Sequence, residues 1–470
     1  MLPFCDSTSA INCIADVWAV DSSGKRISYS NHRYFPEDQA KVYQGNTNYH
    51  IPSGSTGSVV EFPGLSNGGG TTDYAITVMG HGGINSLNSD GSYSASDPVF
   101  IASIHPIKVV PGNYSPMSMK DPSGHQTYWV PPEDSNCAVV KKGFCGIPVD
   151  FPPNVSFGLS LRLNQNFYGW IHGRLSAATF DSTNLGGGAY LLTVLGEPSA
   201  VPDVTASVAT KDVKADSLFT YGYKTSPGHW DIFAPYREQI AYPAFLSWLP
   251  YMSGKASNME KVWAFRNLKK YDISSTADQT SLSCLAKYSL SGDNPGIVGL
   301  LNTNAVTYLP TPPVFNSKDQ TLEYGVASAH LSTDGSLISG MYSLQLRIDV
   351  ARCIFGLSTM PIKATISVIS TDGTQTTTTS NLTDTGNFLT FRADGFHYSG
   401  ETIKIHLENV SAPTPTPSSN AATTALPITQ AAPSVVRNSI AKVKILCVKG
   451  KLSKSVSGIN PKCPVGYKKK

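Results

Sequence analysis

The densest grouping of side chains able to bind a ligand or move a proton is Tyr168, Trp170, His172 and Arg174, followed by His229, Trp230, Asp231, Arg237 and Glu238. Trp and Tyr faces stack on sugar rings while Arg, Asp and His fix hydroxyls, so these residues form a candidate glycan-binding surface. A second chemistry fits the same stretch. Asp231 and Glu238 are candidates for the paired carboxylates of a glycosidase, which stand about 5 Å or about 6.5–9.5 Å apart. The structural alternative is that the aromatics are core and the charges form structural pairs.

Two shorter patterns read as turns. Gly64-Leu65-Ser66-Asn67-Gly68 has the spacing of a nucleophile elbow and His81-Gly82-Gly83 that of an oxyanion loop. An elbow needs a helix directly after its serine, and Gly68-Gly69-Gly70 cannot start one, so a glycine-rich loop between strands is expected. Ser86, Asn88, Asp90, Gly91 and Asp97 fall at calcium-loop positions. Calcium wants several carboxylates and here serine opens the loop, so an Asn-Ser-Asp-Gly turn is the preferred reading. No metal site and no cofactor are expected.

The charges are unevenly spread. Only 15% of the 470 residues are charged and 40% are hydrophobic, a balance that excludes a disordered chain and a coiled coil. The formal net charge of +3 hides a division. Residues 437–470 hold ten basic residues, Lys442, Lys444, Lys449 and Lys451 among them, and no acidic one. Residues 1–436 therefore carry about −7 and the tail about +10. Such a tail attracts polyanions, and the expected partner is an anionic cell-wall polymer or glycan, with an affinity that salt weakens. The tail offers no arranged aromatic platform, which argues against nucleic acid.

Eight cysteines fall as local pairs: Cys5 and Cys13, Cys137 and Cys145, Cys284 and Cys353, Cys447 and Cys463. An even number in near pairs suits a disulfide framework, whereas zinc would need closer knuckles. Disulfides place the chain in an oxidising, extracellular compartment. MLPFCDSTSA shows neither a basic nor an apolar leader segment, and no run reaches the ~18 apolar residues of a membrane span.

Alternation with period two and frequent turn residues predict a mainly β, multidomain chain of antiparallel β-sandwich units with few helices. Residues 1–200 read as an N-terminal β-rich domain and 201–315 as a middle β-rich region with short helices. Residues 316–410 read as an immunoglobulin-like β-sandwich, with strands at Leu322–Leu331, Met341–Ile348, Ile362–Ile369, Gln375–Ser380, Phe388–Arg392 and Thr402–Leu407. Helical character is expected for Tyr236–Leu249 and Met259–Lys269. Residues 411–436, rich in Pro, Thr, Ser and Ala, read as a linker, and 437–470 as a basic, disulfide-stapled module.

The ending CVKGKLSKSVSGINPKCPVGYKKK resembles the basic two-cysteine segment that closes many secreted actinobacterial proteins. PFCDSTSAINC, YGWIHGRL, KVWAFRNL and SLQLRIDVARCIFG resemble stretches of uncharacterised exported proteins of the same bacteria. The resemblance implies an extracellular or cell-wall-associated location and carries no functional residues with it. The resulting expectation is a cell-envelope or extracellular binding or structural protein of unknown ligand. The alternative is a secreted carbohydrate-active hydrolase using carboxylates of the body.

Overall fold

In the computed structural model the chain is described over residues 1–37, 44–46, 48, 50–81, 84–87, 93–95, 98–115, 117–120, 126–130, 136–209, 212, 223–226, 229–234, 242–268, 283–284, 287–288, 296–357, 363–370, 375–380, 383–384, 387–398, 401–408, 443–449, 452–458 and 467–469. The fold is mainly β with several sheets, and among the described residues the α-helices Tyr242–Trp248 and Ile348–Phe355 are short. Two compact units divide it, Met1–Ala412 and Pro413–Lys470.

The first unit is built on a broad middle sheet. Asp73–His81 pairs Val99–Pro111, which pairs Asn258–Asn267, which pairs Gly169–Gly173. Gly169–Gly173 then runs parallel to Ile297–Thr303, and Ser339–Arg347 and Phe388–His397 continue the sheet antiparallel. On one face Ile76, Val78, Ala102, Ile104, Ile171 and Phe265 pack on Val17, Leu159, Leu161, Leu192 and Val194 from an outer set of antiparallel strands. On the other face Trp170, Leu301, Leu344 and Phe391 pack on Tyr308, Tyr324, Val326, Ile366 and Ile405 of a six-stranded sheet. Period-two alternation explains both cores, because successive residues of one strand feed opposite faces.

Ala189–Ala209, 21 residues long, ties the layers together. Its first part pairs Ser156–Asn164 in the outer set and Ser199–Asp203 pairs Met259 and its neighbours in Asn258–Asn267. The indole of Trp263 adds a cross-tie, donating to the carbonyls of Phe157 at 3.1 Å and Gly196 at 2.9 Å.

Two local expectations are corrected. The helix expected over Met259–Lys269 is replaced, in its described part, by the strand Asn258–Asn267 inside the middle sheet. Trp263 and Phe265 alternate into one core, and ladder bonds on both sides outweigh helical propensity. The strand expected over Met341–Ile348 is Ser339–Arg347, and the helix Ile348–Phe355 follows it at once. Val350, Ala351, Ile354 and Phe355 give that helix a buried stripe, and Gly356 ends it in the left-handed conformation at φ 62°. Around the first turn, Asp21 accepts from the amides of Ser23 and Lys25 and joins Cys13–Val20 to Arg26–Ser28, as Asp-Ser-Ser-Gly predicts.

Cys5–Cys13, Cys137–Cys145 and Cys284–Cys353 are disulfides. The pairing of Cys447 with Cys463 lies outside the described residues, as does the linker 411–436. Among the described residues no helix is long and apolar enough to cross a membrane. The second unit is a three-stranded antiparallel sheet in which Val443–Lys449 lies between Leu452–Gly458 and Lys468–Lys469.

Candidate functional site

Register across the middle sheet sets Met79, Ile101, Arg266, His172, Leu301 and Leu344 in one row on one face. Leu301 and Leu344 are fully buried beneath the six-stranded sheet, whereas Met79, Ile101 and Arg266 are only partly covered. The cover ends near His172 and Arg174, where Tyr308 and the turn before it overlie the sheet. Beyond that edge lies a cleft of about 260 Å3, lined by Thr77, Met79, Ile101, Ser103, His105, His172, Arg174, Arg266 and Tyr308 among others. A larger hollow of about 680 Å3 holds Asp150, Glu260 and Lys261, two carboxylates against one ammonium, which does not suit an anion.

Arg174 is 7% exposed and is committed to the turn above it. Its guanidinium donates to the carbonyls of Thr303 at 3.2 Å, Ala305, and Val306 at 2.8 Å, and lies 4.8 Å from the centre of the Tyr308 ring. A planar fork with several donors suits three converging carbonyls and an aromatic face. Burial lowers the Arg174 pKa from its ordinary value, and nearby tyrosines oppose the shift.

His172 is 1% exposed and lies on Tyr308, ring centroids 3.4 Å apart. Neither of its nitrogens has a hydrogen-bond partner in the described structure. Burial first, then the charges of Arg174 and Arg266, hold its pKa well below the ordinary imidazole value, so the ring is neutral near pH 7. It therefore offers one N–H donor and one acceptor nitrogen.

Arg266 owes its place to its strand. Asn267, next to it, accepts from the Phe100 amide at 2.7 Å and donates to the Pro98 carbonyl at 2.9 Å, fixing this strand against Val99–Pro111. Among the described residues the Arg266 side chain makes no hydrogen bond or ion pair, and the cleft lining includes no Asp or Glu.

Of the residues singled out in the sequence, His172 and Arg174 meet in this cleft. Trp170 is core at 1% exposure, its ring lying over Gly299. Tyr168 is half-buried just before this strand. His229, Trp230 and Asp231 lie on the strand His229–Ala234, opposite Ala209, Val208 and Ser207. Glu238 lies outside the described residues, and its pairing with Asp231 lies outside them too, as do Arg237, Lys442 and Lys451. Lys444 and Lys449 are in the strand Val443–Lys449. Asn88, Asp90, Gly91 and Asp97 of the calcium-like pattern are also outside the described residues. Asn67 of the elbow-like pattern holds a loop, its Nδ2 donating to the carbonyls of Asp73 and Ile107 at 3.0 Å. Arg266 and Tyr308 were missed by the sequence reading. The Ala264/Arg266 alternation beside buried Trp263 and Phe265 was the available signal for the first, and nothing local marks the second.

No protein-family model, no curated protein and no solved structure matches the chain.

Proposed function

We propose that this is an exported binding or structural protein of the cell envelope or extracellular space, whose basic C-terminal unit associates with anionic wall polymers or glycans. The separation of charge carries this reading: about +10 over residues 437–470 against about −7 on the rest. The tail forms its own sheet, and its register sets Lys454 and Lys469 on either side of Cys447, with Lys468 beside Val448. Cations brought together from several strands attract a polyanion by Coulomb forces that act within about 10 Å at 0.1 M salt. The body, with an immunoglobulin-like portion over 316–410, carries the cleft. Three disulfides are compatible with an extracellular chain, and the resemblance to exported actinobacterial proteins supports the same location.

Deleting residues 437–470 tests this. The shortened protein should wash off isolated cell walls at low salt while the full chain stays bound and elutes as salt rises. Equal retention of both would overturn the role of the tail.

A further inference from the structure

We propose that the cleft beside His172 binds a small oxyanion, a carboxylate or a phosphate ester, with Arg266 as its cation and the His172 N–H as a second donor. This deepens the binding reading above and rests on it only for the source of the anion, since the cleft belongs to the body and not to the tail.

The composition of the cleft sets the sign of the ligand. Among the described residues Arg174, Arg266, His105 and His172 line it, and no carboxylate does. Arg174 spends its donors on the carbonyls of Thr303, Ala305 and Val306, yet among the described residues no carboxylate pairs with its charge. The Arg266 guanidinium has neither a hydrogen bond nor an ion pair within the described structure. A guanidinium fork of this kind takes two oxygens of a carboxylate or phosphate at once.

His172 gives the independent sign that something is to be bound. A buried polar group without a partner costs about 1–3 kcal/mol, and both nitrogens of this nearly fully buried ring are unpaired. An oxyanion seated on Arg266 gives the imidazole N–H an acceptor. Arg266 and His172 are register partners on adjacent strands, so one ligand group can meet both.

Size limits the occupant. At about 260 Å3 the cleft falls below the ~300–1,000 Å3 of pockets for drug-sized ligands, so it fits a single acidic residue or head group and not an oligosaccharide. Met79 and Ile101 offer apolar contact to the carbon body of that group, and Thr77 and Ser103 bring hydroxyls to the same wall.

Titration calorimetry on the full chain with inorganic phosphate, glycerol phosphate and glucuronate, at ionic strength held constant with chloride, tests the proposal. Saturable one-site binding of at least one probe is expected. Arg266→Gln should weaken it about tenfold or more, the usual loss of a charge-assisted hydrogen bond. His172→Phe keeps a ring against Tyr308 and removes the N–H, so it should weaken binding as well, while the distant, exposed Arg392→Gln should not. Arg266 is partnerless and partly exposed, so its variant folds; an unchanged melt checks this. Binding of the phosphates alone points to a phosphate polymer, and of glucuronate alone to an acidic polysaccharide. No saturable binding, or equal affinity in Arg266→Gln, overturns the proposal. Wall retention reads the tail separately, so either idea can fail while the other stands.

Discussion

His172 lies flat against Tyr308, the ring centroids 3.4 Å apart and the planes 10° from parallel, with both imidazole nitrogens unpaired within the described structure. Tyr324 lies beside the pair, its ring 6.2 Å from that of His172 and 6.5 Å from that of Tyr308. The stack joins the middle sheet to the six-stranded sheet at the lip of the cleft. A ring that is buried and flanked by two arginines is kept neutral, and stability then depends on pH.

The folded-state pKa of His172 lies well below the ordinary 6.5, so between the two values the unfolded chain binds more protons. Its contribution is complete above pH 6.5 and is lost as pH falls toward the folded value. Burial of His32 shifts that ring in the same direction. Urea unfolding across pH 7.5 to 5 should show stability falling with acid, and His172→Phe should flatten the fall. An equal slope in the variant would assign the effect to other groups.

Arg174→Met should destabilise the body by about 3 kcal/mol or more, because it leaves the carbonyls of Thr303, Ala305 and Val306 without their donor. Arg174→Lys should recover only part of this, since an ammonium lacks the planar fork. Chemical denaturation of the variants measures both.

Gly299→Ala should cost about 1–3 kcal/mol. A Cβ there would stand 2.3 Å from a carbon of the Trp170 ring, whose burial leaves it little room to move. The loss should be visible as a lower melting temperature.

Removing Cys284–Cys353 as a double serine variant should cost more than removing Cys5–Cys13. The first bridges 69 positions and the second eight, so loop-closure entropy gives about 4 against about 2.5 kcal/mol. Equal losses would show that local strain or denatured-state structure dominates.

The strands, the charged tail and the close pairs Cys5–Cys13 and Cys137–Cys145 were legible in the sequence because each is a local property. Alternation at Ser156–Asn164 or Phe388–His397 needs only neighbours in the chain, and near cysteine pairs need only short loops. Where two periods compete, local reading fails. MEKVWAFRN carries residues that suit a helix, and its place between two strands decided otherwise.

The cleft belongs to the tertiary structure. Arg266 and His172 become neighbours only because Asn258–Asn267 pairs Gly169–Gly173, and Tyr308 reaches His172 from another sheet. Alternation says which residues of one strand share a face; packing of both cores decides which strand lies beside it and in what register. The sequence by itself determined the β architecture and the split of charge. Burial and strand pairing decided that His172 is neutral and unpaired, that Arg174 is spent on a turn, and that Arg266 has no counterion among the described residues.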